Sequence, residues 1–256
     1  MAAGPLIAIV GQTASGKSSL AMQLAQKFNG EIIAADSRTV YKGMDIGTAK
    51  PTKTDQAKVP HHLIDVANPD EPFTVADFQR LAKKAINDIL SRGKVPFLVG
   101  GSGLYVDSIL YDYDFSDGLV EVDAINPRHR KIGSAPVNNV LRPDVLILGL
   151  NPSIEDLRPR IESRVKSMLK SGFIEEAEQL GKKFGWENEP HTIYGVVKDY
   201  TDGKVTLDQL EQDLVKRHMS LAKRQRTWFR RNKSIHWLKS PQEAIKLTTD
   251  FLNKPR

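Results

Sequence analysis

The sequence predicts an α/β fold, a parallel sheet with helices on both faces. Three observations predict it. Short, continuously apolar runs recur through the first 150 residues, which is how strands buried on both faces read. Segments with apolar residues at helical spacing lie between these runs. The first run leads into a glycine loop and then a helix. That loop, Gly11-Gln12-Thr13-Ala14-Ser15-Gly16-Lys17-Ser18, fits G-x-x-x-x-G-K-[ST].

Taken in order, Pro5 to Val10 is an apolar run that reads as the first strand. From Lys17, the recurrence of Leu20, Leu24 and Phe28 predicts a helix, which Asn29-Gly30 ends. The run EIIAADS is a second buried strand with Asp36 at its carboxyl end. Val75 to about Leu90 is helical, with Phe78, Leu81, Ala85 and Ile89 on one face, and Arg92-Gly93-Lys94 stops it. VPFLVGG and Asp144 to Leu150 are the third and fourth strands. Beyond Leu150 the chain turns helical. Ser153 reads as an N-cap before Glu155 and Asp156, and Leu157, Ile161, Val165 and Leu169 form the apolar face. A last long helix spans roughly Leu207 to Arg231.

Between Tyr111 and Arg142 the pattern is weak, with Gly118, Pro127, Gly133 and Pro136 and few apolar residues. We expect residues 1–110 and 141–256 to form one core with a helical C-terminal part, and 111–140 to be a short inserted segment. The glycine loop after the first strand makes this core P-loop NTPase-like.

The composition is that of a soluble globular protein, and 256 residues suit one domain with a small insert. The absence of cysteine excludes disulfides and cysteine-ligated zinc and points to the cytoplasm. The six-residue apolar run at the start is too short to span a membrane. We expect a monomer with no membrane partner. The formal net charge is +6, yet Lys216 to Lys233 alone holds eight Lys or Arg residues and no Asp or Glu. Such a stripe reads as a contact for a polyanion, nucleic acid or a phosphorylated ligand.

The loop binds phosphate because its glycines let successive N–H groups point at phosphate oxygens, and the following helix adds its positive end. Lys17 supplies charge and Ser18 can offer a hydroxyl to Mg²⁺. Ligands of such sheets lie beyond the carboxyl ends of the strands. The loop, Asp36-Ser37 and Gly100-Gly101-Ser102-Gly103 should therefore converge. A nucleotide hydrolase of this class usually has a second acid at a strand end. Here FLVGGSG ends without one, and Asp144 lies at the wrong end of its strand. This argues against hydrolysis and leaves group transfer open, with Asp36 as metal ligand or base.

Several stretches together resemble the tRNA dimethylallyltransferase (tRNA isopentenyltransferase) family. They are GQTASGKS, AADSRTVYKGMDIGTAKPT, VPHHLIDV, FTVADFQRLA, RGKVPFLVGGSGLYV and LAKRQRTWFRR, in the family's order. The resemblance is close over about residues 5–110 and looser over 150–238. It implies transfer of a prenyl group from dimethylallyl diphosphate to the exocyclic amine of the adenosine 3′ of the anticodon in tRNA, releasing diphosphate with Mg²⁺ assisting. On that reading Gly11 to Ser18 holds the donor diphosphate, with Ser18 toward the metal. Asp36 is the general base, and Thr13 and Lys17 belong to the catalytic set. Lys223 and Arg224 of the AKRQ motif are candidates to clamp the donor. Asp36, Ser37, Arg38, Thr39 and Ser102 match positions that contact the tRNA.

The chain departs from the family pattern in places. Gln12 replaces a proline, Arg38 and Thr39 replace Met and Gln, and Ser102 replaces a threonine. Arg217 lies two positions further from AKRQ than the family's arginine, so no catalytic role is assigned to it. The segment after GGSGLY is shorter than the family's helical insertion, and INPRHR (Ile125 to Arg130) resembles that region's tail. Relatives from eukaryotes often carry a zinc finger, so the lack of cysteine implies a bacterial-type member.

Three competing readings share these residues. A P-loop small-molecule kinase using ATP would have the same loop and an acceptor-side Asp. A non-catalytic RNA-binding protein would not need Lys17, Ser18 and Asp36 together. Prenyl transfer to free AMP or ATP would leave the basic stripe without a purpose. His61-His62 is expected to be structural, since adjacent histidines point in different directions. Trp228-Phe229 is expected in the core.

Overall fold

The computed structural model describes residues 4–115, 120–123, 126–132, 140–186 and 193–255. The elements run β1 (Leu6–Gly11), α1 (Lys17–Lys27), β2 (Gly30–Ala34), α2 (Lys53–Lys58), β3 (His61–His62), α3 (Val75–Ser91), β4 (Val95–Gly100) and α4 (Gly103–Leu110). They continue with β5 (Val120–Asp123), β6 (Asn126–Ile132), β7 (Val145–Leu150), α5 (Ile154–Lys170), α6 (Phe173–Phe184), α7 (Gly195–Thr201), α8 (Leu207–Phe229), β8 (His236–Trp237) and α9 (Pro241–Leu252). Among the described residues no helix is long and apolar enough to cross a membrane.

Six strands form one parallel sheet in the order β3-β2-β4-β1-β7-β8. All four strands expected from the sequence are central members. Each is buried on both faces, which is why each reads as an unbroken apolar run. The period of two sorts their side chains. Ile7 and Ile9 of β1 pack with Leu20, Leu24 and Ala244 under α1 and α9. Leu6, Ala8 and Val10 join Phe78, Ile109, Ile161 and Leu214 under α3, α4, α5 and α8.

Capping chemistry fixes the helix starts. Thr74 accepts from the Asp77 N–H, and the Asp77 carboxylate in turn accepts from the Thr74 N–H. Thr206 and Gln209 form the same box at α8, and Ser153 caps α5 as its sequence predicts. In the segment 111–140, β5 and β6 form an antiparallel pair, while Gly118, Gly133, Pro136 and Ile125 lie outside the described residues.

Candidate active site

β1, β2 and β4 end side by side at one edge of the sheet and open into a cavity of about 680 Å³. Its wall includes Thr13, Ala14, Gly16, Lys17 and Ser18 from the glycine loop, Asp36, Ser37, Arg38 and Thr39 after β2, and Ser102 after β4. The convergence expected from the sequence is therefore present. Two hydrogen bonds fix it. The Ser37 N–H donates to Ser102 Oγ at 2.9 Å, and the Arg38 N–H donates to Asp36 Oδ1 at 2.8 Å, which holds that carboxylate at the end of β2.

Gly16, in the left-handed region at φ 97, turns the loop into α1. Lys17 folds back and donates from Nζ to the Gln12 carbonyl at 2.5 Å. Burial lowers its ammonium to about 8, against the pull of Asp36 and with the repulsion of Arg164. Gly11, Gln12 and Ser15 are buried behind the wall, and the Gln12 amide and Ser15 hydroxyl have no hydrogen-bond partner among the described residues.

α8 is docked onto this loop. Gln225 Oε1 accepts from the Thr13 N–H at 2.7 Å. The docking needs glycine at Gly101 and Gly103, where a Cβ would lie 2.2 Å from Gln225 Nε2 and from the Trp228 ring respectively. Trp228 donates from Nε1 to Asp107 Oδ2 at 2.7 Å, and burial pushes the Asp107 carboxyl up to about 6 despite that bond. Phe229 is core, as expected, while Trp228 is a half-buried joint between α4 and α8. Of the AKRQ residues, Arg224 and Gln225 are on the cavity wall, whereas Lys223 is exposed and outside it.

Wall residues not singled out in the sequence include Arg160 and Arg164 of α5 and His218 of α8, and Arg217 of α8, to which no role was assigned, faces the same cavity. Arg164 donates from Nη1 to Thr13 Oγ1 and from Nη2 to the Thr48 carbonyl, both at 3.3 Å, and its Nε has no partner among the described residues. Burial lowers its pKa and the nearby Asp36 charge opposes this. A cation so weakly satisfied is poised for an anion. In sequence, Arg164 looks like any polar residue between Ile161 and Val165, and nothing local marks it.

Glu176 of α6 sets the opposite wall. Its oxygens accept from the N–H groups of Asp45, Ile46 and Gly47 at 3.0, 2.8 and 3.0 Å and from the Tyr194 hydroxyl at 2.9 Å. This holds the turn carrying Thr48, and so the carbonyl that steadies Arg164. Glu176→Ala is expected to destabilise the fold by on the order of 3 kcal/mol, because bonds to a charged acceptor are lost. A shift in the urea midpoint measures this, and an unchanged midpoint would mean the turn holds itself.

His61-His62 is structural, as expected. His62 Nε2 pairs with Glu31 Oε2 at 2.7 Å and His61 Nδ1 bonds the Val59 carbonyl at 2.7 Å. Among the described residues no group of three His, Cys, Asp or Glu could hold a metal.

This geometry can be set against known proteins. The family model described as IPP transferase matches residues 39–136 and 123–232. The chain belongs to the IPP transferase family. Its bacterial relatives are alike over nearly their whole length. The tRNA dimethylallyltransferase of Macrococcus caseolyticus is 36% identical, the alignment covering 98% of this chain and 96% of that protein. The tRNA dimethylallyltransferase of Oceanobacillus iheyensis is 38% identical over 96% and 95%. Among solved structures, the full-length tRNA isopentenylpyrophosphate transferase of Bacillus halodurans superposes with a TM-score of 0.83 at 34% identity, over 97% of this chain and 96% of that one. A eukaryotic dimethylallyltransferase acting on tRNA gives 0.82 at 28% identity, over 99% and 81%. The Macrococcus alignment runs over 301 positions, at least 45 more than this IPP transferase family member has residues. The two family-model matches overlap at 123–136, inside the 111–140 segment.

Proposed function

We propose that the protein transfers a dimethylallyl group from dimethylallyl diphosphate to the exocyclic amine of the adenosine 3′ of the anticodon in tRNA, releasing diphosphate. One observation carries this reading. The cavity joins a phosphate loop and five further cations, Arg38, Arg160, Arg164, Arg217 and Arg224, to a single carboxylate, Asp36, among the described residues. That set suits a departing anion and one proton to remove. The names of the relatives support it, and they do not favour the kinase alternative.

In the proposed step the amine nitrogen attacks the first carbon of the prenyl group. A C–N bond forms, the C–O bond breaks, and its electron pair leaves on diphosphate. Lys17, Arg164, Arg224 and the loop N–H groups stabilise that charge, and Asp36 takes the proton from nitrogen. The Thr13 hydroxyl, which accepts from Arg164, lines the path between them. Ser37, Arg38, Thr39 and Ser102 face the nucleoside. Mg²⁺ fits the oxygen donors present. Ser18 Oγ is exposed on the wall with no hydrogen bond among the described residues, and a magnesium ion held mainly by substrate phosphates needs few protein oxygens. When bound it would supply further charge neutralisation.

The basic stripe divides by position. Arg217 and Arg224 line the cavity wall, while Lys216, Lys223, Arg230 and Lys233 are exposed outside it. The set outside the cavity suits RNA phosphates. If these residues each neutralise one phosphate, log affinity should fall with log salt at a slope of about −3. A filter-binding series checks this, and a flat profile would remove the stripe from RNA binding.

A label-transfer assay tests the function itself. Radiolabelled dimethylallyl diphosphate and Mg²⁺ are supplied with unmodified tRNA or with AMP. Label in tRNA and not in AMP is expected. Label in neither, with ADP formed from ATP, would favour phosphoryl transfer.

A further inference from the structure

His218 has no part in the mechanism above, yet it is built into the cavity wall and is only 3% exposed. Its Nδ1 lies 2.8 Å from the Leu214 carbonyl, one turn back on α8. A carbonyl only accepts, so Nδ1 carries the hydrogen and Nε2 is a bare lone pair. Nε2 has no hydrogen-bond partner among the described residues. Burial holds the imidazole below its ordinary range, and the Arg164 charge pushes the same way, so the ring is neutral near pH 7.

A ligand that fills the cavity takes water away from this acceptor and must then offer it a donor. The prenyl diphosphate offers none, since its ionised oxygens accept and its tail is hydrocarbon. The nucleoside does. Its amine has two N–H groups, and Asp36 takes only one proton. With Asp36 as its only partner, a base in the cavity would leave the other N–H unpaired.

We infer that His218 accepts, through Nε2, a hydrogen bond from the exocyclic amine of the target adenosine. The inference rests on the transfer reading above. His218 then fixes the plane of the amine and discriminates adenine from a 6-oxo purine. The oxo purine would bring an acceptor oxygen against a lone pair and a carboxylate.

The test compares RNA hairpins with adenosine or inosine at the target position, bound without donor, in the wild type, His218→Phe and His218→Gln. The wild type should prefer adenosine. His218→Phe keeps a ring of similar size but no acceptor, and should lose about 10- to 100-fold of that preference. His218→Gln, with an amide oxygen, should recover part of it. Affinity for inorganic diphosphate should be the same in all three. An unchanged base preference in His218→Phe would overturn the inference. So would a parallel fall in diphosphate affinity with the preference intact, which would make His218 a packing residue. Because the readout is binding, a wild type that binds hairpins but transfers no label would sink the transfer reading while still judging His218.

Discussion

Asp36→Asn is expected to slow the chemical step by about a hundred- to ten-thousand-fold while leaving RNA affinity nearly unchanged. Asparagine preserves the shape and keeps an oxygen for the Arg38 N–H that holds Asp36 at 2.8 Å. What it lacks is the ability to take a proton. If Asp36 only shapes the turn after β2, the asparagine variant should work almost normally. Single-turnover transfer with saturating donor separates these outcomes. A collapse of RNA binding with an intact chemical step would make Asp36 a recognition residue instead. The carboxylate has no substitute, being the sole acid on the cavity wall among the described residues.

Lys17→Ala is expected to lower transfer by about a hundred- to a thousand-fold and to weaken diphosphate binding strongly. Lys17 is held against its own loop through the Gln12 carbonyl at 2.5 Å, which keeps its charge beside the loop proposed to hold the diphosphate. A pH signature accompanies this. Burial lowers the ammonium to about 8, so it is charged below that pH and neutral above it. The affinity advantage of the wild type over Lys17→Ala for inorganic diphosphate should therefore be full near pH 7 and shrink as pH rises through 8. Isothermal titration of both proteins across that range reads the ratio. A ratio independent of pH would show that the Lys17 charge does not bind the anion.

The sheet was legible because β1, β2, β4 and β7 are buried on both faces and so carry unbroken apolar runs. The edge strands were not. His61–His62 and His236–Trp237 are two residues each, too short for any period to show. α4 begins at Gly103, a poor helix former that is required because Trp228 leaves no room for a side chain. The site divides in the same way. Lys17, Ser18, Asp36 and Ser102 lie in local motifs at strand ends, where the fold's logic places a ligand. Arg164, His218 and Gln225 reach the cavity only through packing of α5 and α8. The Thr13–Gln225 bond joins residues 212 apart in the chain, and no local pattern records such a contact. Lys223 shows the converse. Its motif suggested the cavity, but the helical phase of α8 brings Arg224 and Gln225 to the cavity wall and leaves Lys223 outside it.

On the proposed reading the phosphate loop holds a leaving group and the displacement occurs at carbon. A donor carrying heavy oxygen in the bridge between carbon and phosphorus tests it most directly. With tRNA as acceptor, mass spectrometry should find all of the heavy oxygen in released diphosphate and the prenyl group on the adenosine amine. Heavy oxygen appearing in free dimethylallyl alcohol would mean attack at phosphorus, and would rule out displacement at carbon.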